Sequence, residues 1–225
     1  MKVICWDFDG TLVHSEHLWS GSVFHALNET VAEHNILFTD IRRCMATGFT
    51  WHTPYEDYSK MTGEKWWDFM NAHIYKSYIS LGIAPNLARE ATDKVRGIIK
   101  KKQNYNFYPD TIAALEIARA KGYKNVLLSN NYPDLLEVLD ALDLTKHFDH
   151  LIISALVGYD KPRAEIFEIA KGLYPNADFL MVGDNPYADI EGGKAAGMKT
   201  ALVHKGNNDK ADFCFDDLLS IFNVF

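Results

Sequence analysis

Three observations predict an α/β fold: a parallel sheet with helices on both faces and an α-helical cap inserted after the first strand. Short apolar runs at residues 3–6, 125–128, 151–153, 179–182 and 200–203 have strand length, and read as strands buried on both faces. From Pro109 onward these runs alternate with amphipathic segments, the pattern of βαβ units. Residues 16–102, by contrast, read as helical with little strand signal.

The first strand stops abruptly at Asp7-Phe8-Asp9, and Gly10-Thr11 turn the chain away. Two carboxylates crowded at a strand end repel each other unless something offsets their charge. A divalent cation does so and, once bound, also organises a phosphate. Alone, Asp-x-Asp reads equally well as a polar turn with two solvated acids.

Within the helical block, Leu18, Val23, Leu27 and Val31 lie near helical spacing, as do Val95, Ile98 and Ile99. Trp66, Trp67, Phe69, Met70, Ile74 and Tyr78 mark another amphipathic helix. Residues 47–54, rich in Gly, Thr and Pro, read as a loop between them. The block closes on Lys100-Lys101-Lys102, read as a solvated helix end favourable to the helix dipole.

Asp110 is the expected N-cap of a helix that turns Ile112, Leu115 and Ala118 inward and ends at Gly122. The strand at 125–128 stops at Ser129-Asn130-Asn131, and a helix follows from about Pro133. After the short strand at 151–153, Pro162 opens a helix through Ile166, Phe167 and Ile169 that Gly172 can end. The strand at 179–182 stops at Gly183-Asp184, and the next helix ends near Gly197 before the last strand. This layout predicts a Rossmann-like core of residues 1–14 and 107–225 and a helical cap of residues 15–106, with hinges near 14–15 and 105–108.

The 225 residues suit one large domain or a core with a smaller insertion, and a hydrophobic fraction of 48% suits a soluble globular chain. A net charge of −7 argues against nucleic acid as the main partner. No apolar run is long enough to span a bilayer, and a strand starting at Lys2 leaves no room for a signal peptide. Cys5, Cys44 and Cys214 have no metal-ligand spacing and are odd in number, so reduced thiols in a cytoplasmic protein are expected. His14 and His17 flank a predicted hinge at a spacing that fits no metal site.

In an open parallel sheet, ligands bind outside the carboxyl ends of the strands. Asp7-Phe8-Asp9, Ser129-Asn130 and Gly183-Asp184 fall at such ends, with Asp189 five residues further on and Lys161 just before Pro162. Several acids, one hydroxyl and one amine thus share one rim. In this order and spacing, Asp7-Phe8-Asp9-Gly10-Thr11-Leu12-Val13, Leu128-Ser129-Asn130, Asp160-Lys161-Pro162 and Gly183-Asp184 with Asp189 resemble the motifs of the haloacid-dehalogenase-like superfamily, in its phosphatase branch with a helical cap after the first motif.

The resemblance implies a role for each residue. Asp7 would be the nucleophile that forms an aspartyl-phosphate. Asp9 would be the general acid and base, with a pKa raised by water exclusion and its backbone carbonyl facing the metal. An acid at this position favours phosphate esters, because relatives acting on carbon–halogen bonds lack it. Ser129 and the Asn130 N–H would hold phosphoryl oxygens, and Lys161 would offset charge. Asp7, Asp9, Asp184 and Asp189 would form the Mg²⁺ site, with Asp189 either ligating through water or orienting Lys161. Read alone, Ser129-Asn130-Asn131 is equally a turn, and Asp189 equally a helix-start charge.

Cap loops select substrates in this family, which makes Trp51 and His52 candidate substrate contacts, with Arg42 or Arg43 for an acidic leaving group. Each also has an ordinary reading, Trp51 as cap packing and the arginines as solvated side chains. The implied activity is hydrolysis of a small phosphorylated metabolite by a monomer or homodimer. A phosphomutase with the same motifs, and a catalytically silent binder of a phosphorylated ligand, stay open as alternatives.

Overall fold

The computed structural model describes residues 1–225. Eight strands are present: β1 (Lys2–Trp6), β2 (Val13–His14), β3 (Asn106–Phe107), β4 (Lys124–Ser129), β5 (His150–Ile153), β6 (Asp178–Gly183), β7 (Lys199–Val203) and β8 (Phe213–Phe215). Six of them form one parallel sheet in the order β5-β4-β1-β6-β7-β8. β1 lies inside it, with Trp6 opposite Leu127 of β4 and Val182 of β6. Its carboxyl end therefore sits mid-rim, and the Asp7 N–H donates to the Val182 carbonyl at 2.9 Å.

Side-chain alternation along β1 feeds two cores. Ile4 and Trp6 join a large cluster that runs on into the inserted helices, and Val3 and Cys5 join a smaller one on the opposite face. The helices of the sheet region are α5 (Thr111–Ala120), α6 (Leu135–Ala141), α7 (Ser154–Val157), α8 (Ala164–Leu173) and α9 (Gly192–Ala195), once the four inserted helices are numbered first. Those four are α1 (Leu18–Thr30), α2 (Phe38–Cys44), α3 (Glu64–Ser80) and α4 (Pro85–Ile99). α1 packs along α4, and α3 along α4. α3 buries Trp66, Trp67, Met70, Ile74 and Tyr78, as its spacing implies. The two chain crossings between sheet and insertion are themselves paired: β2 and β3 form an antiparallel ribbon, Val13 opposite Phe107 and His14 opposite Asn106.

The structure corrects several details. Asp110 precedes α5, but its side chain makes no cap hydrogen bond; Oδ2 instead accepts from the N–H groups of Leu218 and Leu219, tying down the C-terminal turn. The helix after Lys161 begins at Ala164, because the chain first turns through Pro162. Lys100 is not a free helix end: its Nζ meets Glu137 at 2.9 Å and Asp134 at 3.4 Å, on the far side of the insertion. The edge strand β8 has no counterpart in the predicted set, since Phe-Cys-Phe is too short and too little buried to stand out.

α8 carries the smaller core. Ile166, Phe167 and Ala170 face the sheet, and the Phe167 ring lies where any Cβ on Gly192 would collide with it. Phe167→Ala should lower unfolding stability by about 3–5 kcal/mol, read from the midpoint of a urea titration at unchanged slope.

Candidate active site

Lys161 is the centre of the rim. Only 2% exposed, its Nζ donates to Asp7 Oδ1 at 2.8 Å, to Asp189 Oδ1 at 2.6 Å and to the Leu128 carbonyl at 2.8 Å. Burial works to strip its proton, but the carboxylates of Asp189 and Asp7 outweigh burial and hold its pKa above the usual lysine value. Its backbone is fixed as well. The Asn130 side chain donates from Nδ2 to the Lys161 carbonyl at 2.9 Å and accepts the Lys161 N–H at Oδ1 at 2.7 Å. The Asn130 side chain is thus a clamp on the lysine loop, and its backbone N–H is not taken up by that clamp.

Asp189 is fully buried and pinned by both oxygens, Oδ1 by Lys161 and Oδ2 by the Asn185 N–H at 3.0 Å. Burial pushes its pKa up against the pull of Lys161. It is no solvated helix-start charge. Asp184 is also raised, by burial and by the nearby charge of Asp7, and the Lys205 ammonium stands 3.2 Å from its Oδ2. Two glycines make room for these acids. A Cβ on Gly10 would fall inside the Asp184 carboxylate, and one on Gly183 inside that of Asp189; Gly10 also adopts φ +80°.

Oxygens of Asp7, Asp184 and Asp189 lie within 4.8 Å of one another. Three hard donors at one point, with only Lys161 and the half-exposed Lys205 to offset them, fit a small divalent cation such as Mg²⁺. The Asp9 carboxylate lies outside this group. Its Oδ2 accepts from Asn131 Nδ2 at 2.7 Å, and its Oδ1 is enclosed with no partner. Burial, reinforced by the Asp7 charge, pushes the Asp9 pKa up from 3.8 to about 7.

These groups open into a cleft of about 1030 Å³ between the sheet rim and the inserted helices. Asp7, Asp9, Ser129, Asn130, Lys161, Asp184 and Asp189 all line it, as do Trp51 and His52. Trp51 does both things open to it. It stacks on Phe49, with ring centres 4.7 Å apart, and on Trp66, and it also reaches the cleft. Arg42 and Arg43 are exposed and stand outside the cleft. His14 and His17 bind nothing in common; their rings pack edge-on against Tyr108 and Phe38.

A family model for haloacid dehalogenase-like hydrolases matches residues 1–197. The chain belongs to the haloacid dehalogenase-like hydrolases. Among curated relatives, phosphoglycolate phosphatase of Aquifex aeolicus is 30% identical over 218 residues, which cover 90% of this chain and 84% of that protein. Phosphoserine phosphatase of Thermus thermophilus is 36% identical over 129 residues, covering 56% of this chain and 50% of that protein, so this chain spans about half its length. The fold matches that of the magnesium-bound HAD-hydrolase YfnB of Bacillus subtilis with a TM-score of 0.74 at 16% identity, over 99% of this chain and 97% of that one.

For a hydrolase of this family, the side chain that the sequence reading passed over is Asn131. It is 3% exposed; its N–H donates to Ser154 Oγ at 3.1 Å and its carbonyl accepts from the Ala155 N–H at 3.2 Å. Anchored in this way, it aims Nδ2 at Asp9. The only sequence signal was the second Asn of Ser129-Asn130-Asn131, which turn propensity explains equally well. Trp19 was also missed. It touches Phe49, Trp51, Trp66, Trp67 and Tyr132 and lines the cleft.

The raised Asp9 pKa sets a sign. Between 3.8 and about 7 the folded protein holds a proton that the unfolded chain has released, so Asp9 lowers stability progressively as pH rises through that window. In chelator-treated protein, Asp9→Asn should match the wild type near about pH 4 and exceed it by on the order of 4 kcal/mol above about pH 7. Urea titrations across pH check this.

Proposed function

We propose that this hydrolase is a Mg²⁺-dependent phosphomonoesterase that acts on a small phosphorylated metabolite through an aspartyl-phosphate on Asp7. The observation that carries the reading is one cleft holding two carboxyls in different surroundings. Asp7 is ion-paired with the buried Lys161 ammonium, and Asp9 has an unpartnered oxygen and a pKa near 7. Pairs of titratable groups pushed apart by their surroundings mark acid and nucleophile roles.

Lys161 holds Asp7 Oδ1 and leaves the second oxygen to attack phosphorus. As that O–P bond forms, the ester P–O bond breaks, and Asp9 delivers its proton to the departing alkoxide. Asp9, now ionised and steadied by Asn131, takes a proton from a water that attacks the same phosphorus, which frees inorganic phosphate and restores both carboxyls. Ser129 Oγ and the Asn130 N–H donate to the phosphoryl oxygens. Asp7 and Asp184, with the Asp9 carbonyl, would hold Mg²⁺, while Asp189 chiefly positions Lys161. When bound, the cation neutralises charge on the phosphoryl group.

Residues 15–106 act as the cap that closes over this chemistry and residues 1–14 and 107–225 as the core, with the β2–β3 ribbon as the natural hinge. A cytoplasmic setting suits the three unpaired thiols, and no helix is long and apolar enough to cross a membrane. The phosphatase names of the curated relatives and the magnesium in the B. subtilis structure support the reading.

With 4-nitrophenyl phosphate and Mg²⁺, Asp7→Asn and Asp9→Asn should each lose about 10²–10⁴-fold or more in kcat while keeping a native circular dichroism spectrum. Chelation should stop the wild type, and added Mg²⁺ restore it. Full turnover in either variant, or in chelator, overturns the proposal.

A further inference from the structure

The cap side of the cleft carries a charge pattern that restricts the leaving group. Lys161 is the only lysine or arginine lining it, and Asp7, Asp189 and the Leu128 carbonyl already take up its ammonium. The neighbouring Arg163 does not line it; its guanidinium is taken up by Glu165 and by the Glu56 carbonyl. His52 supplies no cation either, since burial and the neighbouring His73 lower its pKa. The one ionisable acid on the cap wall is Glu56, which a carboxylate-bearing ligand would meet as a like charge.

What the wall does offer is flat apolar surface. Leu18, Trp19 and Trp51 form it on the cap side. At the mouth, the phenols of Tyr55, from the cap, and Tyr187, from the core, meet across the cleft at 3.2 Å. Both rings are accessible, at 71% and 47% exposure, so each offers an open face at the mouth against which a planar group can lie. The cleft, about 1030 Å³ in this open form, has room for a ring-bearing leaving group beside the phosphoryl site.

Resting on the hydrolase reading, we infer that the preferred substrate is a phosphate monoester whose leaving group is an uncharged planar ring of the nucleoside or aryl kind. Trp19 and Trp51, where they reach the cleft, and the exposed faces of Tyr55 and Tyr187 provide the apolar contact surface, and His52 and the phenol hydroxyls the hydrogen bonds. Leaving groups bearing a carboxylate are rejected by Glu56 and by the lack of a free cation.

Initial rates on the Mg²⁺-loaded enzyme with uridine 5′-monophosphate, 4-nitrophenyl phosphate, ribose 5-phosphate and phosphoglycolate test this. The two ring-bearing esters should exceed the other two in kcat/KM by about tenfold or more. Trp51→Ala should raise KM for uridine 5′-monophosphate by about tenfold with a smaller change in kcat. Because Trp51 also packs inside the cap, a second variant is needed. His52→Arg, which adds the missing cation, should shift the kcat/KM ratio toward phosphoglycolate. If phosphoglycolate or ribose 5-phosphate is the best wild-type substrate, or His52→Arg leaves the ratio unmoved, the inference fails and the hydrolase reading stands. Phosphate release from none of the four overturns the hydrolase reading, and this inference with it.

Discussion

Several carboxylates converge on one buried ammonium, and the rest of the site is arranged around that imbalance. Asp7 and Asp189 bond Lys161 directly, while Asp184 and Asp9 stand close enough for the Asp7 charge to raise both their pKa values. Even with the Lys205 ammonium beside Asp184, two cations cannot neutralise four largely buried acids. The protein meets the excess in three ways. It keeps Lys161 charged, it lets Asp9 hold a proton up to about pH 7, and it leaves three oxygen donors facing one point. Each is a consequence of burial, and together they fit the proposed binding of a divalent cation and a phosphate.

The parallel sheet is what permits such crowding. β1 ends between β4 and β6, so Asp7, Ser129 and Gly183-Asp184 arrive at one rim from three strands. Repulsion among these side chains is borne by strands packed on both faces, whose cores are dry and closely filled. Backbone clearance is as important as side-chain placement: Gly10 and Gly183 leave the space that the Asp184 and Asp189 carboxylates occupy. The same rim opens toward the inserted helices, whose aromatic cluster around Trp19 forms the opposite wall.

Five strands of the parallel sheet and the convergence of the acids are legible in the sequence because each rests on a local pattern. The run of residues 3–6 is apolar throughout, and the polar clusters follow directly on strand ends. Interactions spanning distant segments were not legible. Nothing local told that the Asp110 carboxylate would serve the C-terminal turn rather than α5, or that Lys100 would reach Asp134 and Glu137. The same holds for Asn131. Its turn propensity was plain, but its aim at Asp9, 122 positions away, depends on the β1–β4 pairing and on Ser154. Arg42 and Arg43 show the converse, charged residues in a suggestive stretch that the fold leaves at the surface.

The central claim, that the carboxylate excess is matched by a divalent cation, is open to calorimetry. Mg²⁺ titrated into chelator-treated protein at pH 7 in buffers of different ionisation enthalpy reads both affinity and protons released. The account predicts a single site, proton release as the raised carboxyls ionise around the metal, and loss of binding in Asp184→Asn. Absence of Mg²⁺ binding at millimolar concentration, or undiminished binding in Asp184→Asn, would contradict it.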